Sequence, residues 1–118
     1  MTLNKLRDQI HEWACRKGWW PKKPNIGEKL MLVVTELAEA MEDYRRGSSV
    51  TYFDPNEWVV DDKGKRMFKP CGFASEIADT FIRLLDLCGH LGIDIEREIA
   101  LKMKYNEHRA HRHGGKRA

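Results

Sequence analysis

Cysteine is scarce in this chain, and what there is does not pair. Cys15, Cys71 and Cys88 are odd in number and have no Cys-x-x-Cys spacing. This excludes a disulfide framework and a zinc ribbon, and reads as thiols kept reduced. Long hydrophobic runs are missing too, so no stretch is long enough to cross a bilayer. The opening residues Met1-Thr2-Leu3-Asn4-Lys5 lack the apolar core of a signal peptide. An intracellular, cytoplasmic protein with no membrane partner is expected. No internal repeat or low-complexity segment is visible. What is present is a chain of 118 residues, 42% hydrophobic and 33% charged. That length fits one domain, and that balance fits a soluble globular fold rather than a disordered chain.

Charge of one sign is nearly balanced in the body and unbalanced at the end. The formal net charge is +3, but Arg109, Arg112, Lys116 and Arg117 fall in the last ten residues with no acid among them, leaving a body of −1. A basic tail over 110–118 is therefore expected beyond a folded domain spanning 1–109. His108, His111 and His113 crowd the same region and read as tail rather than as a zinc site.

Helical periodicity dominates the rest. Leu3, Leu6, Ile10, Trp13 and Ala14 predict a first helix over 3–17, closed by Gly18. Asn25 is placed to cap a second helix from Ile26 to about Arg46, with Leu30, Val33, Val34, Leu37, Ala38, Met41 and Tyr44 as a broad apolar stripe. Ile77, Phe81, Leu84, Leu85 and Cys88 mark a third helix from about Phe73 to His90. Asp94 is placed to cap a fourth, through Ile95, Ile99 and Met103 to about Arg109. Between the second and third helices, residues 48–72 change character. Trp58-Val59-Val60 and Arg66-Met67-Phe68 flank Asp62-Lys63-Gly64, which predicts a short hairpin or structured loop. The expected class is all-α: a four-helix bundle with this excursion inserted between helices 2 and 3.

The most informative residues are acids on a face that should be core. Glu36 and Glu39 are three apart on the second helix, and Glu76 and Asp79 are three apart on the third. Residues at that spacing share a helical face. Two such helices can put four carboxylates around one cavity, where they cannot all stay ionised without compensation. A divalent cation supplies it, and all-oxygen ligation selects Mg²⁺, with Mn²⁺ the alternative, over zinc. Mg²⁺ sites of this kind commonly join carboxylates to substrate phosphates.

With these residues in view, the chain resembles the MazG-like all-α nucleoside triphosphate pyrophosphatases. The resemblance rests on Glu36-Leu37-Ala38-Glu39 and Glu76-Ile77-Ala78-Asp79. Lys102-Met103-Lys104-Tyr105-Asn106, followed by Arg109 and His113-Gly114, adds the family's C-terminal element. It spans about residues 3–115. Two departures stand out: Thr35 occupies a position where many members carry a further Glu, and the interval between the acidic pairs is longer than usual. The resemblance implies a MazG-like four-helix bundle and hydrolysis of a (deoxy)nucleoside triphosphate to the monophosphate and pyrophosphate. It implies Glu36, Glu39, Glu76 and Asp79 as metal ligands, with Glu39 also orienting or deprotonating water. It implies Lys102, Asn106 and Arg109 as phosphate contacts, and a homodimer or homotetramer. In related dCTP-type pyrophosphatases a histidine and a tryptophan line the nucleoside pocket, and His11 and Trp20 have the matching separation. Arg83, one turn after Asp79, is placed to meet a phosphate or pair with an acid.

A second reading, from a different class, is a non-enzymatic nucleic-acid or regulatory binding module working through the basic tail. The absence of a dispersed basic face counts against nucleic acid as a partner. A carboxylate-bridged redox bundle is disfavoured because no His follows either acidic pair at the Glu-x-x-His offset.

Overall fold

The computed structural model describes residues 2–48 and 50–109, so the expected tail at 110–118 lies outside the described residues. Four helices are present: α1 (Leu3–Arg16), α2 (Ile26–Arg45), α3 (Phe73–Leu91) and α4 (Ile95–Glu107). The starts of α1, α2 and α4 are chemically marked, whereas α3 begins after Gly72 with no side-chain cap. The side chains of Thr2, Asn25 and Asp94 each accept from a backbone N–H one turn on, at Lys5, Glu28 and Arg97. Such caps satisfy donors that have no partner within the helix. No described helix is long and apolar enough to cross a membrane.

The expectation of an all-α chain is corrected here. Between α2 and α3 the chain forms a two-stranded antiparallel sheet, β1 (Tyr52–Val60) and β2 (Arg66–Cys71), so the architecture is mixed. Only the tip of this ribbon was legible in the sequence. Trp58, Val59 and Val60 pair with Phe68, Met67 and Arg66, then Tyr52, Phe53 and Asp54 pair with Cys71, Pro70 and Lys69 after a register shift. Pro55 falls within that irregularity, and the Asp54 carboxylate accepts from Asn56 N–H at 2.9 Å, which stabilises the bulged turn. Pro70 is tolerated because both strands are edges. The tip turn is organised by Asp61, whose Oδ1 accepts from the N–H groups of Lys63 and Lys65 at 2.8 and 2.9 Å.

Packing is centred on α3, which lies against both α1 and α2. The buried apolar set is small: Ala14 from α1, Val33 and Ala40 from α2, and Leu85, Leu87 and Cys88 from α3. The broad stripe expected on α2 therefore splits into two faces. Val33 turns inward with Glu36 and Ala40, whereas Leu30, Val34, Leu37, Met41 and Tyr44 stay exposed. α4 packs chiefly on α1 and has no buried residue.

The approach of α1 to α3 is close enough to need glycine. A Cβ on Gly89 would lie 2.5 Å from His11 Cβ and 2.9 Å from His11 Cγ. Alanine is the better helix former by about 1 kcal/mol, yet Gly89→Ala is expected to destabilise by about 1–3 kcal/mol, because overpacking forces the helices apart. Thermal unfolding followed by circular dichroism tests this: an unchanged or raised Tm would show that the contact yields freely.

Candidate functional site

Three of the four expected acids converge. Glu36 from α2 and Glu76 and Asp79 from α3 each offer a carboxylate oxygen, and these oxygens lie within 4.8 Å of one another. Glu36 is buried, Glu76 is half-buried and Asp79 is exposed at the rim. Glu39 stands one turn further along α2, exposed, with its carboxylate beside Glu76. Thr35 contributes no ligand atom to this cluster, since its hydroxyl donates to the Leu32 carbonyl at 2.7 Å.

The electrostatics are those of crowded carboxylates. Glu76 is pushed up to about 7, first by loss of solvent, then by the hydrogen bond and charge of Glu39, then by the charge of Asp79. Asp79 is also raised, first by partial desolvation and then by the charge of Glu36, while Arg83 and Lys69 pull it back. Oε2 of Glu76 is buried and meets no hydrogen-bond donor among the described residues. Its near neighbours are other carboxylates, which have no proton to give when ionised. An oxygen-only cluster with such an orphaned atom suits a hard divalent cation.

Arg83 pairs with an acid: its Nε donates to Glu36 Oε1 at 2.6 Å. The same arginine lines a cavity of about 420 Å³ together with Trp19, Trp20, Lys29, Leu32 and Asp86. This size lies within the usual range for small-molecule sites. Arg83 thus joins the acidic cluster to an aromatic hollow. A second hollow, of about 610 Å³, sits in the hairpin among Trp58, Val59, Met67 and Phe68.

His11 and Trp20 do come together, with ring centroids 5.4 Å apart. The residue that joins them was missed in the sequence. Asp86 is buried, and its Oδ1 accepts from His11 Nδ1 at 2.8 Å and from Trp20 Nε1 at 2.9 Å. A signal was present: an acid inside the apolar run Leu84-Leu85-Asp86-Leu87-Cys88 has to be satisfied by something. His90 was missed as well. It stacks on Trp20 with centroids 4.1 Å apart and an interplanar angle of 14°, while the Lys29 ammonium sits 4.3 Å from the Trp20 ring centroid. Lys69 on the hairpin, paired with Glu57 at 3.2 Å, is a third omission.

No protein-family model matches this chain, and comparison with curated proteins and with solved structures returns no significant match. The site therefore rests on its own geometry. That geometry leaves the α4 residues aside: Lys102, Asn106 and Arg109 are exposed. Lys102 and Arg109 lie over Tyr105, with the Lys102 ammonium and the Arg109 guanidinium 5.8 and 6.0 Å from its ring. Among the described residues none of the three bonds to Glu36, Glu76 or Asp79.

The raised acid fixes a sign for stability. Glu76 holds its proton in the folded chain up to about pH 7 but releases it near 4.5 when unfolded. Stability is therefore fully present below about pH 4.5 and falls as pH rises towards 7. For the metal-free protein, Tm is expected to drop by roughly 5–10 °C across that window. Glu76→Gln should flatten the slope, and millimolar Mg²⁺ should restore Tm at pH 7.5. A slope that is identical in Glu76→Gln would show that other groups cause it.

Proposed function

We propose that this chain is a metal-dependent pyrophosphohydrolase of the nucleotide pool, acting in the cytoplasm. It converts a (deoxy)nucleoside triphosphate to the monophosphate and pyrophosphate. The observation that carries this reading is the convergence of Glu36, Glu76 and Asp79 from two helices, joined through Arg83 to a cavity floored by Trp20. The resemblance of both acidic pairs to the MazG-like enzymes supports the same assignment.

In this reading Glu36, Glu76 and Asp79 hold Mg²⁺ or Mn²⁺, with Glu39 alongside. A cation held by these carboxylates would neutralise polyphosphate charge and polarise a phosphoryl oxygen. Glu39, exposed and next to Glu76, orients a water and accepts its proton as the oxygen attacks the α-phosphorus. The bond from that phosphorus to the bridging oxygen breaks, and pyrophosphate leaves. Arg83, already held by Glu36, faces the phosphates from the cavity side.

The base is assigned to the hollow beside Trp20, with His11 behind it. Both the stacked His90 ring and the Lys29 ammonium lie against the indole, so a base must displace one of them. Lys102, Asn106 and Arg109 have no place at this site within one chain, and the mechanism does not depend on them.

A homodimer or homotetramer belongs to the proposal. Leu30, Val34, Leu37, Met41 and Tyr44 recur at alternating steps of four and three along α2 and are exposed. That spacing is a helix-pairing seam, and it runs beside the face that carries Glu36. A second copy of this chain is its occupant in this reading.

A panel of nucleoside triphosphates with Mg²⁺ tests the reaction. Pyrophosphate and the monophosphate are the expected products. Glu36→Gln or Asp79→Asn should lower kcat/KM by about a hundredfold or more, in line with the loss of a charge aimed at the transition state. Release of orthophosphate, or full activity in both variants, would overturn the assignment. Light scattering that returns a monomer would remove the assembly.

A further inference from the structure

The hairpin leaves its own apolar side chains uncovered. No residue from 50 to 71 is buried. Trp58 and Phe68 pair across the two strands and meet edge-on, with ring centroids 6.1 Å apart. Val60, two residues along β1, is 64% exposed. Alternation along a strand puts these three on one face of the ribbon, and the hollow of about 610 Å³ opens beside Trp58 and Phe68. A lone two-stranded ribbon is marginal in water and needs a further layer on its apolar face. The edges of this ribbon are closed to such a layer. Pro55 and the register shift interrupt β1, and Pro70 interrupts β2. Proline and bulges are the devices that stop another strand from adding to an edge. The face is what remains open.

Charge says what fits on it. From 52 to 62 the chain carries Asp54, Glu57, Asp61 and Asp62 and no base, and from 63 to 71 it carries Lys63, Lys65, Arg66 and Lys69 and no acid. One side of the ribbon is therefore acidic and the other basic, four charges against four. Among the described residues the hairpin makes one ion pair, Glu57 with Lys69 at 3.2 Å. Arg66 pairs with Val60, and its guanidinium lies over the Trp58 ring, 4.4 Å from the centroid. It has no carboxylate within ion-pair reach among the described residues. A polyanion such as RNA would be repelled by one side as much as it is drawn to the other. A second copy of the ribbon matches both sides. A two-fold axis running along the strands, between two ribbons face to face, sets β1 of one copy on β2 of the other. Acid then lies on base, and each Arg66 comes over Val60 of the other copy, two residues from Asp62. A two-fold axis across the strands would lay like charge on like.

We propose that the Trp58–Phe68 face of the hairpin is a self-association surface, on which two copies of this chain pack ribbon to ribbon with acidic strand over basic strand. This interface is separate from the α2 seam and does not rest on nucleotide hydrolysis.

Sedimentation equilibrium of the full chain tests it, at concentrations up to about 300 µM, because a two-stranded ribbon offers less area than a standard interface. The wild type is expected to self-associate. Trp58→Ser should raise the dissociation constant about tenfold or more, as loss of a central aromatic anchor does. Arg66→Glu gives a ribbon acidic on both sides, and Asp62→Lys one that is basic on both. Each should associate with itself about tenfold more weakly than wild type, and an equimolar mixture of the two should regain wild-type strength. Helical circular dichroism and Tm should stay at wild-type values in all three, since no hairpin residue is buried. Leu37→Glu reads the α2 seam alone: a loss there with the hairpin variants unchanged would overturn this proposal and keep the seam. A wild type that stays monomeric, a Trp58→Ser chain that associates like wild type, or a mixture no stronger than its components would also overturn it. Binding of a labelled oligonucleotide that Arg66→Glu abolishes, with no self-association, would reassign the face to nucleic acid.

Discussion

One helix has to lie against two others along a line of polar side chains. On α3 the residues Glu76, Asp79, Arg83, Asp86 and His90 follow at steps of three and four, so they form a single stripe. That stripe covers roughly 20 Å of helix axis at 1.5 Å per residue. It meets α2 at its acidic end and α1 at its histidine end. Every side chain on it is costly to bury alone. Those that turn inward are answered by a partner, Arg83 by Glu36, Asp86 by His11 and Trp20, and the His90 ring lies on that of Trp20, while Asp79 stays exposed at the rim. Glu76 is the exception, and its orphaned oxygen marks the place where the chain by itself is incomplete.

The apolar packing around this stripe is thin. Ala14, Val33, Ala40, Leu85, Leu87 and Cys88 form the buried set, and small residues predominate in the part that α1 and α2 contribute. Small residues let backbones approach, as at Gly89, and place short polar side chains within hydrogen-bond reach across the seam. The larger hydrophobics lie elsewhere, on the outer face of α2, along α4 and on the hairpin. The molecule keeps its tight contacts for positioning and presents its bulky apolar surface outward.

Much of this was legible in residue spacing, and what was not had a physical reason. Helix limits followed from periodicity and from caps such as Asn25 and Asp94, because those signals are local. The acidic pairs were legible because an i, i+3 carboxylate pair inside an apolar run has few structural uses. The outer and inner faces of α2 were not separable, since Leu30 and Val33 differ in orientation and not in chemistry. The sheet was underestimated because Tyr52, Phe53 and Pro70 pair across a register shift that no alternation pattern reveals. Asp86 was overlooked because its partners, His11 and Trp20, lie 75 and 66 residues away in sequence. Lys102, Asn106 and Arg109 were read as part of the site on resemblance, and a helix that packs chiefly on α1 leaves them apart from the acids in a single chain.

The two ends of the excursion meet. Phe73 N–H donates to the Ser48 carbonyl at 2.8 Å, Ser75 Oγ donates to the Pro70 carbonyl at 3.1 Å, and Gly72 passes so close to the Val50 carbonyl that a side chain there would collide with it. The ribbon therefore leaves the helical body and rejoins it at one doorstep. Whatever hangs beyond that threshold can be lengthened, shortened or exchanged at small entropic cost, while the acidic seam behind it keeps its dimensions. Evolution has here a socket for attachments, set within a few residues of Glu76.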